Sequence, residues 1–170
     1  MFIGFYDDGF KIGDNVNGYP VLGGVEKINS VNESCSIVIA IGDPKTKFAI
    51  YNKIKNEKVD FPNIIHPNVL ISDDFVKLGT GNIICAGCII TCNIEIKDFV
   101  ILNLMCTVGH DTIISSYASF MPSVNISGEV LIEERVYVGT GAKIINQLEI
   151  GENTIVGAGA VVSKTLPSNC

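Results

Sequence analysis

Some residue types on which binding and catalytic sites often depend are scarce in this chain. Of its 170 residues none is tryptophan, and only two are histidine, His66 and His110. Lysine and arginine together number 12 against 18 aspartates and glutamates, so the net charge is −6. Because no basic tract is present, we expect no nucleic-acid partner. Two histidines also fall short of a site with three histidine ligands, and we expect no bound metal.

Long apolar segments are missing as well. No run approaches the roughly 18 residues that a membrane span needs. The N-terminus, MFIGFYDDGFK, carries acidic residues where a signal peptide would carry basic ones. We therefore expect a cytoplasmic protein without a membrane span, in which the cysteines stay reduced. These cysteines are Cys35, Cys85, Cys88, Cys92, Cys106 and Cys170.

A six-residue periodicity dominates the second part of the chain. From Ile84 onward, fourteen consecutive blocks of six begin with an apolar residue, and the fifth residue of each block is small or aliphatic. A period of six fits neither an α-helix nor a plain strand alternation, but it suits a short strand followed by a turn. The blocks are ICAGCI, ITCNIE, IKDFVI, LNLMCT, VGHDTI, ISSYAS, FMPSVN, ISGEVL, IEERVY, VGTGAK, IINQLE, IGENTI, VGAGAV and VSKTLP.

Three such strands and turns close a triangular coil, and successive coils stack as parallel strands. The first and fifth positions then point into the core, where each buried Ile, Val or Leu contributes roughly 1.5–3 kcal/mol. We predict a mainly β protein with a parallel β-helix over residues 64–170. Cys88 and Cys106 are both fifth positions, so they are predicted to stack inside the helix rather than to bind zinc with Cys85 and Cys92.

Residues 1–63 follow a different pattern. IGFY is predicted to be a strand, DDGFKIGDNVNG a polar loop, and residues 25–32 a short helix. The apolar run SIVIAI, Ser36–Ile41, is typical of a buried parallel strand. Asp43 and Pro44 are predicted to cap and to begin a second helix. We therefore expect a small, truncated Rossmann-like α/β domain, in which ligands bind at the carboxyl ends of the strands.

The pair His110–Asp111 is the main candidate for chemistry. It occupies the third and fourth positions of the block VGHDTI, which are turn positions that face outward. One interpretation is a general base whose tautomer is fixed by the neighbouring carboxylate. The other is a solvated surface histidine without a role. The residue types alone leave both open.

Linked motifs along the chain resemble those of a known enzyme family. They are NGYPVLGG, IHP, LN, GHD and SGEV, and they are combined here with the six-residue repeats. Together they are similar to the hexapeptide-repeat nucleotide-sugar acyltransferases, which include sialic-acid O-acetyltransferases and the UDP-4-amino-sugar N-acetyltransferases of bacillosamine synthesis. The resemblance covers essentially the whole chain. It implies a left-handed β-helix, a homotrimer, and acetyl-CoA as the co-substrate.

The resemblance also implies roles for individual residues. His110 matches the catalytic base, and Asp111 matches the acidic residue beside it. The other matches are to substrate and cofactor positions: Asn103 near the acylated sugar, Asp7 and Asp8 near the nucleotide, Gly128 with its N–H at the acetyl thioester, and Thr140 and Ala158 along the CoA arm. Lys164 is expected either to meet the CoA phosphates or simply to be solvated.

Two features depart from the family pattern. Ser119 stands where several relatives carry a second histidine, so it is expected to contact the substrate by hydrogen bonding without a positive charge. The chain also begins at what looks like the second strand of the family, without a Gly-rich loop of the G-x-G-G-H kind. It stops before the usual tail, as a shortened form would.

The expected function is that of an acetyl-CoA-dependent acetyltransferase that acts on an amino or hydroxyl group of a nucleotide-activated or acidic sugar. His110 would take the proton of the acceptor, without a covalent enzyme intermediate. The site would lie between subunits of a trimer. The alternative, suggested by the missing Gly-rich loop, is a non-catalytic trimeric scaffold or a partner subunit.

Overall fold

The computed structural model describes residues 2–72 and 75–170, which divide into two compact units. The first unit comprises the described part of Met1–Ile37 together with Ala49–Asp60. The second comprises Val38–Phe48 and Phe61–Cys170. The segment Val38–Phe48, which precedes the predicted domain boundary at residue 63, is therefore part of the second unit.

The first unit opens with a small mixed sheet. Its strands are β1 (Phe5–Tyr6), β2 (Asn15–Val16) and β3 (Tyr19–Gly23), in the order β1-β3-β2. β1 runs parallel to β3, whereas β2 and β3 form an antiparallel hairpin. The hairpin turn, Asn17–Gly18, has φ of +51° and +87°, a conformation that asparagine and glycine tolerate best. The predicted polar loop thus contains one strand that the sequence did not indicate.

The apolar run Ser36–Ile41 forms less strand than predicted. Only β4 (Cys35–Ser36) pairs, and its partner is the parallel strand β5 (Val59–Asp60). Beyond β4 the backbone makes one more hydrogen bond to β5, from the Ile37 N–H to the Asp60 carbonyl at 2.9 Å. The prediction of a long buried strand was wrong, because the partner strand β5 ends at Asp60. Val38, in the middle of the apolar run, is 42% exposed.

Two helical segments complete the front part of the chain. A 3₁₀-helix spans Val25–Ser30, within the predicted range, and α1 spans Pro44–Lys53. The predicted cap of α1 is confirmed, since Asp43 Oδ1 accepts a hydrogen bond from the Thr46 N–H at 2.7 Å. Among the described residues no helix is both long and apolar enough to cross a membrane.

A parallel β-helix makes up most of the second unit. Its short strands form three parallel sheets, called faces 1, 2 and 3, and each coil contributes one strand to every face. Face 1 contains β6 (Ile64–Ile65), β9 (Ile83–Ile84), β12 (Ile101–Leu102), β15 (Ser119–Phe120), β18 (Tyr137–Val138) and β21 (Ile155–Val156). Face 2 contains β7 (Leu70–Ile71), β10 (Ile89–Ile90), β13 (Thr107–Val108), β16 (Asn125–Ile126), β19 (Lys143–Ile144) and β22 (Val161–Val162). Face 3 contains β8 (Val76–Leu78), β11 (Ile94–Ile96), β14 (Ile113–Ile114), β17 (Leu131–Ile132) and β20 (Glu149–Ile150).

The predicted inward positions form the core. Every first position from Ile84 to Val162 is at most 5% exposed. The fifth positions pack beside them, and Cys88 and Cys106 are 0% and 1% exposed within one continuous cluster. The register read from the sequence is therefore confirmed, including the stacked thiols.

The turns between the faces share a backbone conformation that the sequence did not indicate. Every fourth position of the repeat from Gly87 to Gly159 has φ between +56° and +76°. Only three of these positions are glycine, and elsewhere this left-handed conformation costs roughly 1–2 kcal/mol per residue. Hydrogen bonds between coils offset the cost; for example, the Asp111 N–H donates to the Cys92 carbonyl at 3.1 Å.

Two columns of turns carry most of the residues that the sequence indicated as site candidates. The turns after face 2 are called the histidine corner and comprise residues 91–93, 109–111, 127–129 and 145–147. The turns after face 1 are called the asparagine corner and comprise residues 85–87, 103–105, 121–123, 139–141 and 157–159. Side chains on one corner meet those of the coil above and below.

Candidate active site

The histidine corner holds His110 and Asp111 in direct contact. His110 Nδ1 lies 2.7 Å from Asp111 Oδ2, and the two side chains are 56% and 49% exposed. An ionised carboxylate can only accept a hydrogen bond, so the Nδ1 atom carries the proton. The Nε2 atom is then left with a lone pair that can accept a proton from a substrate.

The second oxygen of Asp111 is also occupied. Asn93, one coil earlier on the same corner, donates from Nδ2 to Asp111 Oδ1 at 3.1 Å. The hydrogen bond with His110, followed by that from Asn93, holds the pKa of Asp111 below its ordinary value. The carboxylate is therefore ionised at neutral pH, where it can support a positive charge on the imidazole.

Gly128 lies directly against the imidazole from the next coil. A Cβ built at this position would stand 2.6 Å from His110 Nε2 and 2.7 Å from Cε1, so the ring occupies the space that a side chain would need. The Gly128 N–H has no hydrogen-bond partner among the residues that the structure describes. Gly128 thus combines a backbone donor with close packing against the imidazole, which is an arrangement suited to an oxyanion.

A cavity of about 450 Å³ opens beside this group. Asn93 and Asp111 line it together with residues of face 3 and the segment before it, whereas His110 and Gly128 are not part of the described lining. The further lining residues are Phe75, Lys77, Ile94, Glu95 and Ile113.

The asparagine corner holds three other residues that the sequence indicated. Asn103 is half-buried, and its Oδ1 atom accepts a hydrogen bond from the Leu104 N–H at 2.8 Å. Thr140 and Ala158 lie on successive coils, where the Thr140 carbonyl accepts from the Gly159 N–H at 2.8 Å. In one chain these residues therefore stand on a different corner from His110.

Ser119 lies on the outside of face 1 and is nevertheless 0% exposed. It is covered by Lys47 of α1, whose Nζ atom donates to Ser119 Oγ at 2.9 Å and to the Ala118 carbonyl at 3.4 Å. Lys47 is itself only 1% exposed, and burial lowers the pKa of this amine from 10.5 to about 7. Lys47 was not among the predicted site residues, because a lysine at the start of a helix carries no signal for burial.

The acidic pair of the first unit has local partners. Asp7 Oδ1 accepts from the Gly9 N–H at 2.7 Å. Asp8 Oδ1 accepts from the Val25 N–H at 2.8 Å, and Asp8 Oδ2 lies 3.4 Å from Lys53 Nζ. The hydrogen bond from Val25 is the main reason why the pKa of Asp8 is below its ordinary value. In the second unit, Lys164 is exposed near the end of the β-helix.

Comparison with known proteins places the chain in a family. The family described as PglD N-terminal domain matches residues 1–54, and the bacterial transferase hexapeptide family matches residues 129–164. GDP-perosamine N-acetyltransferase of Escherichia coli is 33% identical over 155 residues, which are 91% of this chain and 69% of that protein.

Solved structures agree in fold along nearly the whole chain. A histidine-to-asparagine mutant of perosamine N-acetyltransferase from Caulobacter crescentus, in complex with CoA and GDP-perosamine, superposes with a TM-score of 0.88 at 30% identity over 98% of this chain and 79% of that one. The acetyltransferase domain of PglB from Neisseria gonorrhoeae, in complex with acetyl coenzyme A, gives 0.88 at 30% identity over 97% and 80%. WeeI from Acinetobacter baumannii gives 0.90 at 33% identity over 98% and 80%.

These matches confirm the family that the motifs indicated and the left-handed sense of the β-helix. They cover both the front unit and the repeats, so they do not depend on the periodicity alone. The chain belongs to the hexapeptide-repeat nucleotide-sugar acyltransferases and is an acyltransferase enzyme.

Proposed function

We propose that this chain transfers the acetyl group of acetyl-CoA to an amino group of a nucleotide-activated sugar, with His110 as the general base. The observation that carries the proposal is the hydrogen bond of 2.7 Å between His110 Nδ1 and Asp111, which leaves Nε2 free to accept a proton. An unused surface histidine would need neither this partner nor the glycine that makes room for its ring.

The relatives support the choice of substrates. The Escherichia coli relative is a GDP-perosamine N-acetyltransferase, and the Caulobacter structure contains CoA and GDP-perosamine. The gonococcal domain contains acetyl coenzyme A. An amine on a nucleotide-linked sugar is therefore favoured over a hydroxyl group as the acceptor.

Catalysis would proceed by direct attack of the amine on the thioester carbonyl. His110 Nε2 takes the proton from the attacking nitrogen, and Asp111 supports the imidazolium that results. The Gly128 N–H donates to the oxyanion of the tetrahedral intermediate. The intermediate expels the CoA sulfur, which receives the proton from His110 and leaves as free thiol. The products are the amide and CoA, and His110 returns to its neutral form.

The division of the residues between two corners supports a site shared by subunits. Thr140 and Ala158, which the family resemblance assigns to the CoA arm, stand on the asparagine corner, whereas His110 stands on the histidine corner. A second copy of the chain that packs its asparagine corner against the histidine corner would complete the site. We infer a homotrimer, in which each of three such contacts forms one active site.

The test is thiol release from acetyl-CoA in the presence of GDP- and UDP-linked amino sugars, with sialic acid as a hydroxyl acceptor. We expect turnover with at least one nucleotide-linked amino sugar. His110→Asn should lower kcat by roughly 10²–10⁴, the usual contribution of a general base.

His66→Gln is the matched control, because it removes the only other histidine of the chain. It should keep the wild-type rate. An undiminished rate in His110→Asn would contradict the assignment of the base. Turnover with sialic acid alone would contradict the assignment of the acceptor.

A further inference from the structure

The geometry points to Asn93 as a positioning residue, which acts on His110 through Asp111 and completes a hydrogen-bonded chain of three side chains. This inference rests on the proposed role of His110. Asn93 and Asp111 occupy the same position of the repeat 18 residues apart, with φ of +57° and +58°. Asn93 Nδ2 donates to Asp111 Oδ1 at 3.1 Å, while Asp111 Oδ2 holds His110 Nδ1 at 2.7 Å.

The hydrogen bond from Asn93 matters because packing alone does not fix the side chains of His110 and Asp111. The side chains of His110 and Asp111 are both about half-exposed, at 56% and 49%. A carboxylate held at one oxygen only can rotate about its bond to Cβ and release the imidazole. Held at both oxygens, it keeps a single plane, and the plane of Asp111 sets the direction in which Nε2 of His110 points.

The same contact also favours the charged form of Asp111. The hydrogen bond with His110 is the first cause that lowers the pKa of Asp111, and the donation from Asn93 adds to it. The other charged groups on the cavity that Asn93 and Asp111 line are Lys77 and Glu95. Glu95 is engaged with Lys97 at 2.5 Å. Asn93 is a neutral donor, so its hydrogen bond supports the Asp111 carboxylate without adding charge to the corner.

The same corner offers a built-in control. Gln147 donates from Nε2 to Glu129 Oε2 at 3.0 Å, again with a spacing of 18 residues. This amide–carboxylate pair lies on the same corner with the same spacing. Its amide is on the later coil, and its carboxylate does not hold His110. If such pairs only stabilise the corner, loss of Gln147 and loss of Asn93 should have equal consequences.

The experiment compares Asn93→Leu with Gln147→Leu in the full chain. Steady-state thiol release gives kcat and KM, and ¹⁵N chemical shifts of the histidine rings give the fraction of the Nδ1–H tautomer. The chain has two histidines, so the His66 signal is an internal reference. In Asn93→Leu we expect kcat to fall about 10-fold with little change in KM. The Nδ1–H fraction of His110 should fall as well. Gln147→Leu should change neither.

Equal losses of kcat in the two variants would overturn the inference, because the effect would then be structural. Wild-type kcat and an unchanged tautomer fraction in Asn93→Leu would overturn it as well. If the wild type itself releases no thiol, the proposed function fails. In that case the tautomer fraction, which needs no turnover, still decides whether Asn93 positions His110.

Discussion

Lys47 is a buried lysine whose lowered pKa should make the stability of the protein depend on pH. Its side chain is 1% exposed, and its Nζ atom donates to Ser119 Oγ and to the Ala118 carbonyl. Burial is the main cause that lowers its pKa from 10.5 to about 7, against an opposing attraction to Asp43. We predict that the free energy of unfolding rises with pH above 7 because of Lys47, and that Lys47→Met removes this rise.

The sign depends on proton binding in the two states. Below pH 7 the amine is protonated in the folded and in the unfolded chain, so its contribution does not vary. Between about pH 7 and 10.5 the folded chain has lost the proton while the unfolded chain retains it. Because the unfolded state then binds more protons, stability increases with pH by at most about 1.4 kcal/mol per unit. From pH 7 to 9 this amounts to roughly 2 kcal/mol.

The assay is urea denaturation at pH 7, 8 and 9 for the wild type and two variants. Lys47→Met keeps the length of the side chain and removes the charge. Lys45→Met removes an exposed lysine from the same helix and serves as the control. Apart from Lys45 and Lys47, all titrating groups are common to the three proteins, so the difference in slope between the wild type and Lys47→Met isolates Lys47.

We expect the wild type and Lys45→Met to gain stability in parallel as the pH rises, while Lys47→Met gains about 2 kcal/mol less. At pH 7 and below, Lys47→Met should equal or exceed the wild type in stability, since it no longer buries a charge. Identical slopes for the wild type and Lys47→Met would refute the reasoning, because they would mean that the buried amine keeps its ordinary pKa.

Close contacts and a helix cap lead to two further predictions. Gly128→Ala should lower kcat about 10²-fold, because the added methyl group displaces the His110 ring, and it should unfold near the wild-type denaturant concentration. Gly109→Ala should instead unfold at a much lower denaturant concentration, because its Cβ would stand 2.5 Å from the backbone nitrogen of Gly128. Equal unfolding midpoints would contradict this distinction. Asp43→Ala should cost about 1 kcal/mol in urea denaturation by removing the N-cap of α1, and Asp43→Asn should recover most of it; equal losses would show that the cap is not what Asp43 contributes.

The core of the β-helix was predictable because one physical requirement repeats in each block of six. A residue such as Ile114 must be apolar, since its position points into a column of similar residues and is 0% exposed. The same argument placed Cys88 and Cys106 inside. Periodicity of this kind is local and depends on the polarity and size of each side chain, so it can be read without knowledge of the partners.

Features that depend on partners far along the chain were not predictable in this way. The run Ser36–Ile41 is as apolar as a buried strand, but its pairing is limited by the short β5. Lys47 is buried because it meets Ser119, which lies 72 residues away. The left-handed φ of Phe99 or Tyr117, +56° and +66°, is imposed by the turn and not favoured by the residue type.

In the candidate site, residues that lie 18 positions apart in the sequence contact each other in the structure. In this β-helix the neighbour of a turn residue is the residue one coil away, and hydrogen bonds at a separation of 18 join Asn93 to Asp111, Thr107 to Asn125, and Glu129 to Gln147. The motif GHD identified His110 and Asp111, but motifs are contiguous and so omit Asn93. For a catalytic residue on a β-helix corner, support should therefore come from the positions 18 before and 18 after the residue itself, and from the positions 18 before and 18 after its partner. For His110 the position 18 after it is Gly128, which makes room for the ring, and for Asp111 the position 18 before it is Asn93, which holds the carboxylate.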